Sequence, residues 1–207
     1  MNALSTTSLG RQQGFNLLEL LVTITIAAVV LGIGVPNFRA FLAGNRMAAS
    51  ANDLVTSIHV ARTEAVKRRG TVTICGSSTW DSANPDCDLG GGTGWIVFFD
   101  ANGNVGVDAG DAVVLTHAPL PDGVSFGIDP GATNYMQYGG NGFPQTAGVG
   151  LPFSNIQLCD DRGDASTGTD VDGAEIAAGR WIAVGVTGRP QVYRTRAEVQ
   201  GNPVGGC

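Results

Sequence analysis

Charged side chains are scarce in this sequence: Lys, Arg, Asp and Glu together make up 14% of its 207 residues, against roughly 25% in an average soluble domain. Basic residues number 12 and acidic residues 18, a formal net charge of −6. That balance argues against a protein drawn to nucleic acid by its global field. Two His, and four Cys without C-x-x-C spacing, supply little material for a zinc site. No Ser or Cys stands with a His and a carboxylate in a matching context, so no catalytic site and no cofactor are expected. Gly is abundant, 31 residues, but follows no G-X-Y period, which excludes collagen. Aromatic and β-branched residues are numerous enough to build a core, which excludes wholesale disorder. No internal repeat of 20–50 residues is visible, and the length suits one domain or at most two.

A conventional cleavable secretion signal is missing as well. Residues 1–14 are polar, with one Arg (Arg11) and no acid, and an apolar run extends from Leu20 to Val35, broken only by Thr23 and Thr25. No A-x-A-like site follows that run. Gly14 instead precedes it, so cutting there would leave the apolar segment on the mature chain. Residues 17–35 are long enough to span a bilayer as a helix. Glu19 lies inside this segment, where a carboxylate costs roughly 2.5–3.5 kcal/mol at the bilayer centre and less near an interface. Such a group needs a cation at its own depth, and the α-amino group that cleavage would create on Phe15 is the candidate. A neighbouring subunit's amine meets the same need in a staggered bundle.

The stretch R-Q-Q-G-F-N-L-L-E-L-L-V-T-I-T-I resembles the leader and processing site of type IV pilins and type II secretion pseudopilins. On that resemblance Gly14 precedes the cut made by prepilin peptidase, Phe15 becomes the N-methylated first residue, and Glu19 is the acidic fifth residue of the mature chain. Asn16 stands where Thr is commoner. Pro36 matches the helix-bending proline of pilins and, with Phe15 and Glu19, is assigned to assembly. The resemblance implies residence in the inner membrane before assembly, with a periplasmic domain, and other minor and major pilins or pseudopilins as partners.

Beyond Pro36 the pattern becomes one-sided. Phe41, Ala48, Ala51, Val55, Ile58 and Ala65, widened by Leu54 and Ala61, recur at helical spacing, while Arg39, Arg46, Asp53, Arg62, Glu64 and Lys67 take the other face. One helix is expected over about 17–69, roughly 80 Å at 1.5 Å per residue. Gly32, Gly34 and Pro36 predict a bend or a melted turn, and Gly70 a stop. Seven runs then read as strands: 71–75, 94–100, 112–117, 124–128, 155–159, 181–186 and 190–194. Residues 90–92, 139–142 and 160–173 read as loops. The expected fold is α+β, a long N-terminal membrane-spanning and domain-packing helix followed by an antiparallel sheet, or two packed sheets. Its parts are a leader (1–14), the transmembrane half of the helix (15–37) and a periplasmic or extracellular globular domain (38–207).

T-V-T-I-C, G-W-I-V-F-F-D-A-N-G-N and R-W-I-A-V-G-V-T-G-R resemble the FimT/FimU/GspH group of minor pilins and pseudopilins, over residues 11–194. The group's members cap or initiate fibres, and some are linked to DNA uptake. The resemblance therefore implies a fibre subunit near the tip, with DNA as a secondary candidate partner and the type II secretion pseudopilus as the alternative setting.

All four Cys follow the membrane segment and suit an oxidising compartment. Of the three pairings open to four Cys, Cys75–Cys87 closes a polar loop with little apolar material to hold it. Cys159–Cys207 then pins the C-terminal tail to a strand. Asp100, Asn102, Asn104 and Asp111 fall at positions 1, 3, 5 and 12 of an EF-hand-like loop. The required Gly comes one residue late, however, position 12 is Asp, and strands flank the segment, so the reading taken is a plain turn without metal. Charge is segregated along the chain. Residues 71–161 hold ten acids and neither Lys nor Arg, whereas residues 176–207 hold Arg180, Arg189, Arg194 and Arg196 against Glu198. Those four arginines are the candidate phosphate-binding strip, although Gly188-Arg189-Pro190-Gln191 lacks the second Arg of the late Gly-Arg-x-Arg element in FimT-type proteins. Fibre assembly is preferred over DNA binding on that account.

Overall fold

A computed structural model describes residues 16–207. Helix α1 (Leu17–Arg68) occupies 52 residues without interruption. Asn16 caps its start, its side-chain oxygen accepting the Leu18 N–H at 3.4 Å. The helix stays helical through Gly32, Gly34 and Pro36, so the melted turn expected there does not form. Its end also differs in detail. Arg69, not Gly70, adopts the left-handed conformation at φ 54°, and the Gly70 N–H returns to the Ala65 carbonyl at 3.2 Å. Gly70 is required for another reason: a Cβ there would lie 2.6 Å from the Phe99 ring.

Chain contacts divide the molecule into two compact units between Leu42 and Ala43. In the first unit the large apolar side chains from Leu17 to Phe41 are exposed, and the helix is long and apolar enough to cross a membrane.

The second unit contains the rest of α1, ten strands and a short helix. Five antiparallel strands, β1 (Val72–Ser77), β2 (Gly94–Phe99), β3 (Ala112–His117), β5 (Tyr135–Tyr138) and β6 (Pro144–Gln145), form one sheet in the order β3-β2-β1-β5-β6. The other sheet runs β10-β9-β7-β4, from β4 (Val124–Ile128), β7 (Asn155–Asp160), β9 (Glu175–Val184) and β10 (Pro190–Thr195), with β8 (Ser166–Thr169) paired to the start of β9. The two-sheet α+β expectation is therefore met. Helix α2 (Arg196–Gln200) follows β10 directly.

One core joins α1 to both sheets. Met47, Ala51, Leu54, Ile58, Ala61 and Ala65 pack with Val72, Ile74, Trp95, Val97, Met136 and Tyr138 of the first sheet and with Ile156, Leu158, Ile182 and Val184 of the second. The stripe expected on α1 is shifted: Phe41 is 62% exposed, and Met47, Ser50 and Ser57 are buried instead. Ser57 is tolerated inside because it accepts the Trp95 indole N–H at 2.9 Å. A second cluster (Cys75, Ile96, Phe98, Val105, Tyr135, Ala147) covers the far face of the first sheet. Burial on both faces explains why β2 is continuously apolar rather than alternating.

Candidate functional site

The assembly motif spans the start of α1. Gly14 and Phe15 lie outside the described residues. Glu19 sits in the first turn of α1, where a carboxylate complements the positive end of the helix dipole. Pro36 lies well inside the same helix, within the exposed apolar stretch.

Two disulfides fasten the second unit. Cys75 is joined to Cys87 with Cα atoms 5.6 Å apart, and Cys159 to Cys207 at 5.4 Å. The second bridge is embedded in further contacts. The buried Asn202 amide donates to the Gln157 side chain at 2.6 Å, Gln157 donates to Cys207 Sγ at 3.0 Å, and the Cys207 N–H donates to Asp164 at 2.9 Å. A Cβ on Gly179 would lie 2.7 Å from Cys207 Sγ, so only glycine admits the bridge there.

The Asp100–Asp111 segment is a self-satisfied turn. Asp100 is fully buried and accepts the Thr73 hydroxyl, the Gln137 amide and the backbone N–H groups of Gly103, Asn104 and Val105. Asn102 and Asn104 donate to Asp108, and Asp111 accepts the N–H groups of Ala101 and Asp108. The bonds from Asn102 and Asn104 hold the Asp108 carboxyl below its ordinary value. The oxygens that a cation would require are turned onto N–H donors. Among the described residues, no group of three or more His, Cys, Asp or Glu is placed to hold a metal ion.

The four late arginines do not form one strip. Arg196 starts α2 and pairs with Glu175 at 2.9 Å. Arg189 lies in the tight β9–β10 connection, where its carbonyl accepts the Gly185 N–H. Arg194 lies five positions further along the chain, about 17 Å at ~3.3 Å per residue. Arg180 and Arg194 do come together. Tyr193 is registered against Trp181 across the antiparallel β9–β10 pair, and the register shifts just beyond it, between Tyr193 and Thr195; Arg194 is near enough for its charge to act on Arg180. The Arg180 Nη1 donates to the carbonyls of Ala177, Ala178 and Gly179. Burial lowers the Arg180 pKa first, and the charges of Arg194 and Arg162 lower it further against the opposing pull of Asp160. Arg162, which sequence reasoning did not select, enters through the turn after β7, held to Asp160 at 2.5 Å. Its acidic neighbours Asp160 and Asp161 obscured it in the sequence.

A long N-terminal helix whose first half is apolar and exposed, continued into a helix-on-sheet domain closed by disulfides, defines a pilin-class subunit. The family model described as type II transport protein GspH matches residues 50–175, and the prokaryotic N-terminal methylation motif matches residues 9–35. The chain belongs to the GspH family, within the FimT/FimU/GspH group of type IV minor pilins and pseudopilins. It is 31% identical over 121 residues to the pilin-like protein PilA1 of Thermus thermophilus, covering 58% of this chain and 68% of that one. Crystal structures of the type IV minor pilin FimU of Pseudomonas aeruginosa cover 72% and 70% of this chain and 89% and 91% of theirs, at 18% and 16% identity with TM-scores of 0.41 and 0.40. The family is one of structural pilins and pseudopilins. Its N-methylation motif implies processing by prepilin peptidase, partnership with other pilins and a membrane-anchored precursor.

Proposed function

We propose that this chain is a minor pilin that joins the tip or initiation complex of a type IV pilus and primes fibre assembly. The observation that carries this reading is the fusion of an N-methylation motif to a GspH-family domain along one continuous helix. The motif supplies an apolar stalk that neighbouring stalks can bury once the subunit leaves the bilayer. The Phe15 amine and Glu19 neutralise each other in the stacked state, so two groups costly in an apolar medium become tolerable only on assembly. Processing at Gly14 is thereby coupled to polymerisation.

The type II secretion pseudopilus is the second reading, favoured by the description of the matching family model as a type II transport protein. Companion genes for minor pilins or for secretion components separate the two settings. DNA uptake ranks lower, because Arg189 and Arg196 stand apart from Arg180 and Arg194. The test of fibre entry is Glu19→Val, which is expected to leave cleavage intact and to remove the chain from sheared fibres. Normal incorporation of that variant would refute the charge-pair account. A fibre count unchanged by deletion of the gene would refute the priming role.

A further inference from the structure

Three elements of the second unit meet at the Gly142 carbonyl. Arg62, in the last two turns of α1, donates its Nε–H to that oxygen at 3.0 Å. Gly188, in the β9–β10 turn, packs so closely that a Cβ there would lie 3.0 Å from the same oxygen. Arg189 is the next residue, and it is exposed. Gly140, in the β5–β6 turn, rests on the backbone of Arg69, where a Cβ would fall 2.6 Å from the Arg69 carbonyl carbon. Arg62, Arg69 and Arg189 therefore border one glycine-rich turn. None of the three has a carboxylate partner among the described residues. Glu64, the one acid in residues 54–80, is taken by Lys67 and Arg68, each at 2.8 Å. Residues 130–159 carry no charged side chain, and residues 176–197 carry no acid. A cationic surface thus stands, without acids of its own, in a chain of net charge −6.

The same surface is apolar in part. Val66 is 49% exposed, Phe143 50% and Val186 90%. Val66 flanks the glycine turn, since a Cβ on Gly142 would lie 2.9 Å from its methyl carbon. Phe143 follows Gly142 directly, and Val186 belongs to the β9–β10 turn. A groove of about 320 Å³ runs between α1 and Asn141–Gly142, lined by Arg62, Val66 and Lys67. Arginines interleaved with exposed aromatic and aliphatic side chains have the composition of a protein interface. A nucleic-acid surface is more polar and needs no such side chains. We propose that this surface docks an acidic segment of a different pilin, with carboxylates on Arg62 and Arg189 and apolar neighbours against Phe143 and Val66. Guanidinium forks suit carboxylates at such a contact. A subunit confined to a tip or initiation complex has other pilins as neighbours, so the contact need not propagate between copies. The proposal rests on the fibre-subunit reading above.

Zero-length carbodiimide coupling of sheared fibres that contain the full chain with Arg189→Lys tests it. Lys67 is the sole lysine of the unaltered chain, and its amide to Glu64 serves as an internal reference for the reaction. The expected product is an amide between position 189 and an Asp or Glu of another pilin, read by mass spectrometry of the joined peptides. Arg69→Glu/Arg189→Glu alters two exposed side chains and should leave Tm within about 2 °C of wild type. It should lower the chain's share of sheared fibres at least about tenfold, as loss of a close charge pair does. Coupling from position 189 only within the chain, only to another copy of it, or not at all would overturn the proposal. So would a fibre share that the double reversal leaves unchanged, or a duplex-DNA gel shift that the double reversal removes. The two readings fail separately. A wild-type chain absent from sheared fibres defeats fibre membership, whereas a chain present in fibres without that amide defeats only this contact.

Discussion

Removing the Cys159–Cys207 bridge should be the most damaging covalent change available in the second unit. The two residues are 48 apart in sequence, and the chain-entropy model assigns a cross-link of that span about 4 kcal/mol. The Cys75–Cys87 bridge spans 12 residues, for which the same relation gives about 3 kcal/mol. Paired Cys159→Ser/Cys207→Ser substitution is therefore expected to cost about 1 kcal/mol more than Cys75→Ser/Cys87→Ser. For a unit of this size 4 kcal/mol corresponds to a fall in Tm of roughly 8–16 °C. The tail retains the buried Asn202 amide and the contact of Val204 with Gly127, which hold it loosely in place and put the loss at the lower end of that range. Thermal melts of the full chain in detergent, followed by tryptophan fluorescence, read the change through Trp181 on β9, the strand that packs against the bridge. A Tm within about 2 °C of the wild-type value would refute the structural role of the tail staple.

Two further outcomes follow from individual contacts. Burial alone would raise the Asp129 carboxyl, but hydrogen bonds from the Ser154 and Asn155 N–H groups, the Asn155 amide and the Ser154 hydroxyl outweigh it and hold the group below its ordinary 3.8. Its stabilisation of the β4–β7 edge is therefore full above that value and is lost as pH falls through the lowered one; Asp129→Asn should destabilise the unit at neutral pH and flatten its acid-side stability profile, and an unaltered profile would refute the assignment. For DNA, gel-shift titration at low and moderate salt should show no saturable shift, whereas a salt-sensitive shift abolished by charge reversal at Arg189 and Arg194 would make DNA uptake the leading function.

The parts of the fold that were legible in the sequence are those with a strong period. The apolar run and the three- and four-residue spacing beyond it locate α1 to within a residue of its observed end at Arg68. Strands β2, β3, β4 and β7 were also visible as β-branched or aromatic runs. Three strands were not. β5 carries Gln137 at its centre, buried because its amide joins Thr73 and Asp100, and no periodicity announces such a network. β6 is two residues long, and β8 (Ser-Thr-Gly-Thr) is exposed along its length, so neither has an apolar face to detect. The acidic segment 160–173 consequently read as a loop throughout, and the first half of β9, to which β8 pairs, was overlooked.

Local chemistry offered one more signal than was used. Thr195-Arg196-Ala197-Glu198 is a capping-box pattern, and the structure has both of its hydrogen bonds at the start of α2. The arginines illustrate the opposite limit. Their sequence neighbourhood suggested a strip of four, but the fold disperses them: Arg189 lies in the β9–β10 turn, Arg194 falls at the register shift of β10, and Arg196 turns to Glu175. Pairing across strands is set by the whole sheet and cannot be read from charge spacing alone.

The central claim is that this chain is a processed fibre subunit. Mass spectrometry of the chain recovered from sheared fibres tests it most directly, by reading the N-terminal peptide. The account predicts a chain that begins at Phe15 with a methylated α-amine. A chain that retains Met1 and residues 2–14 in cells with active prepilin peptidase would contradict it.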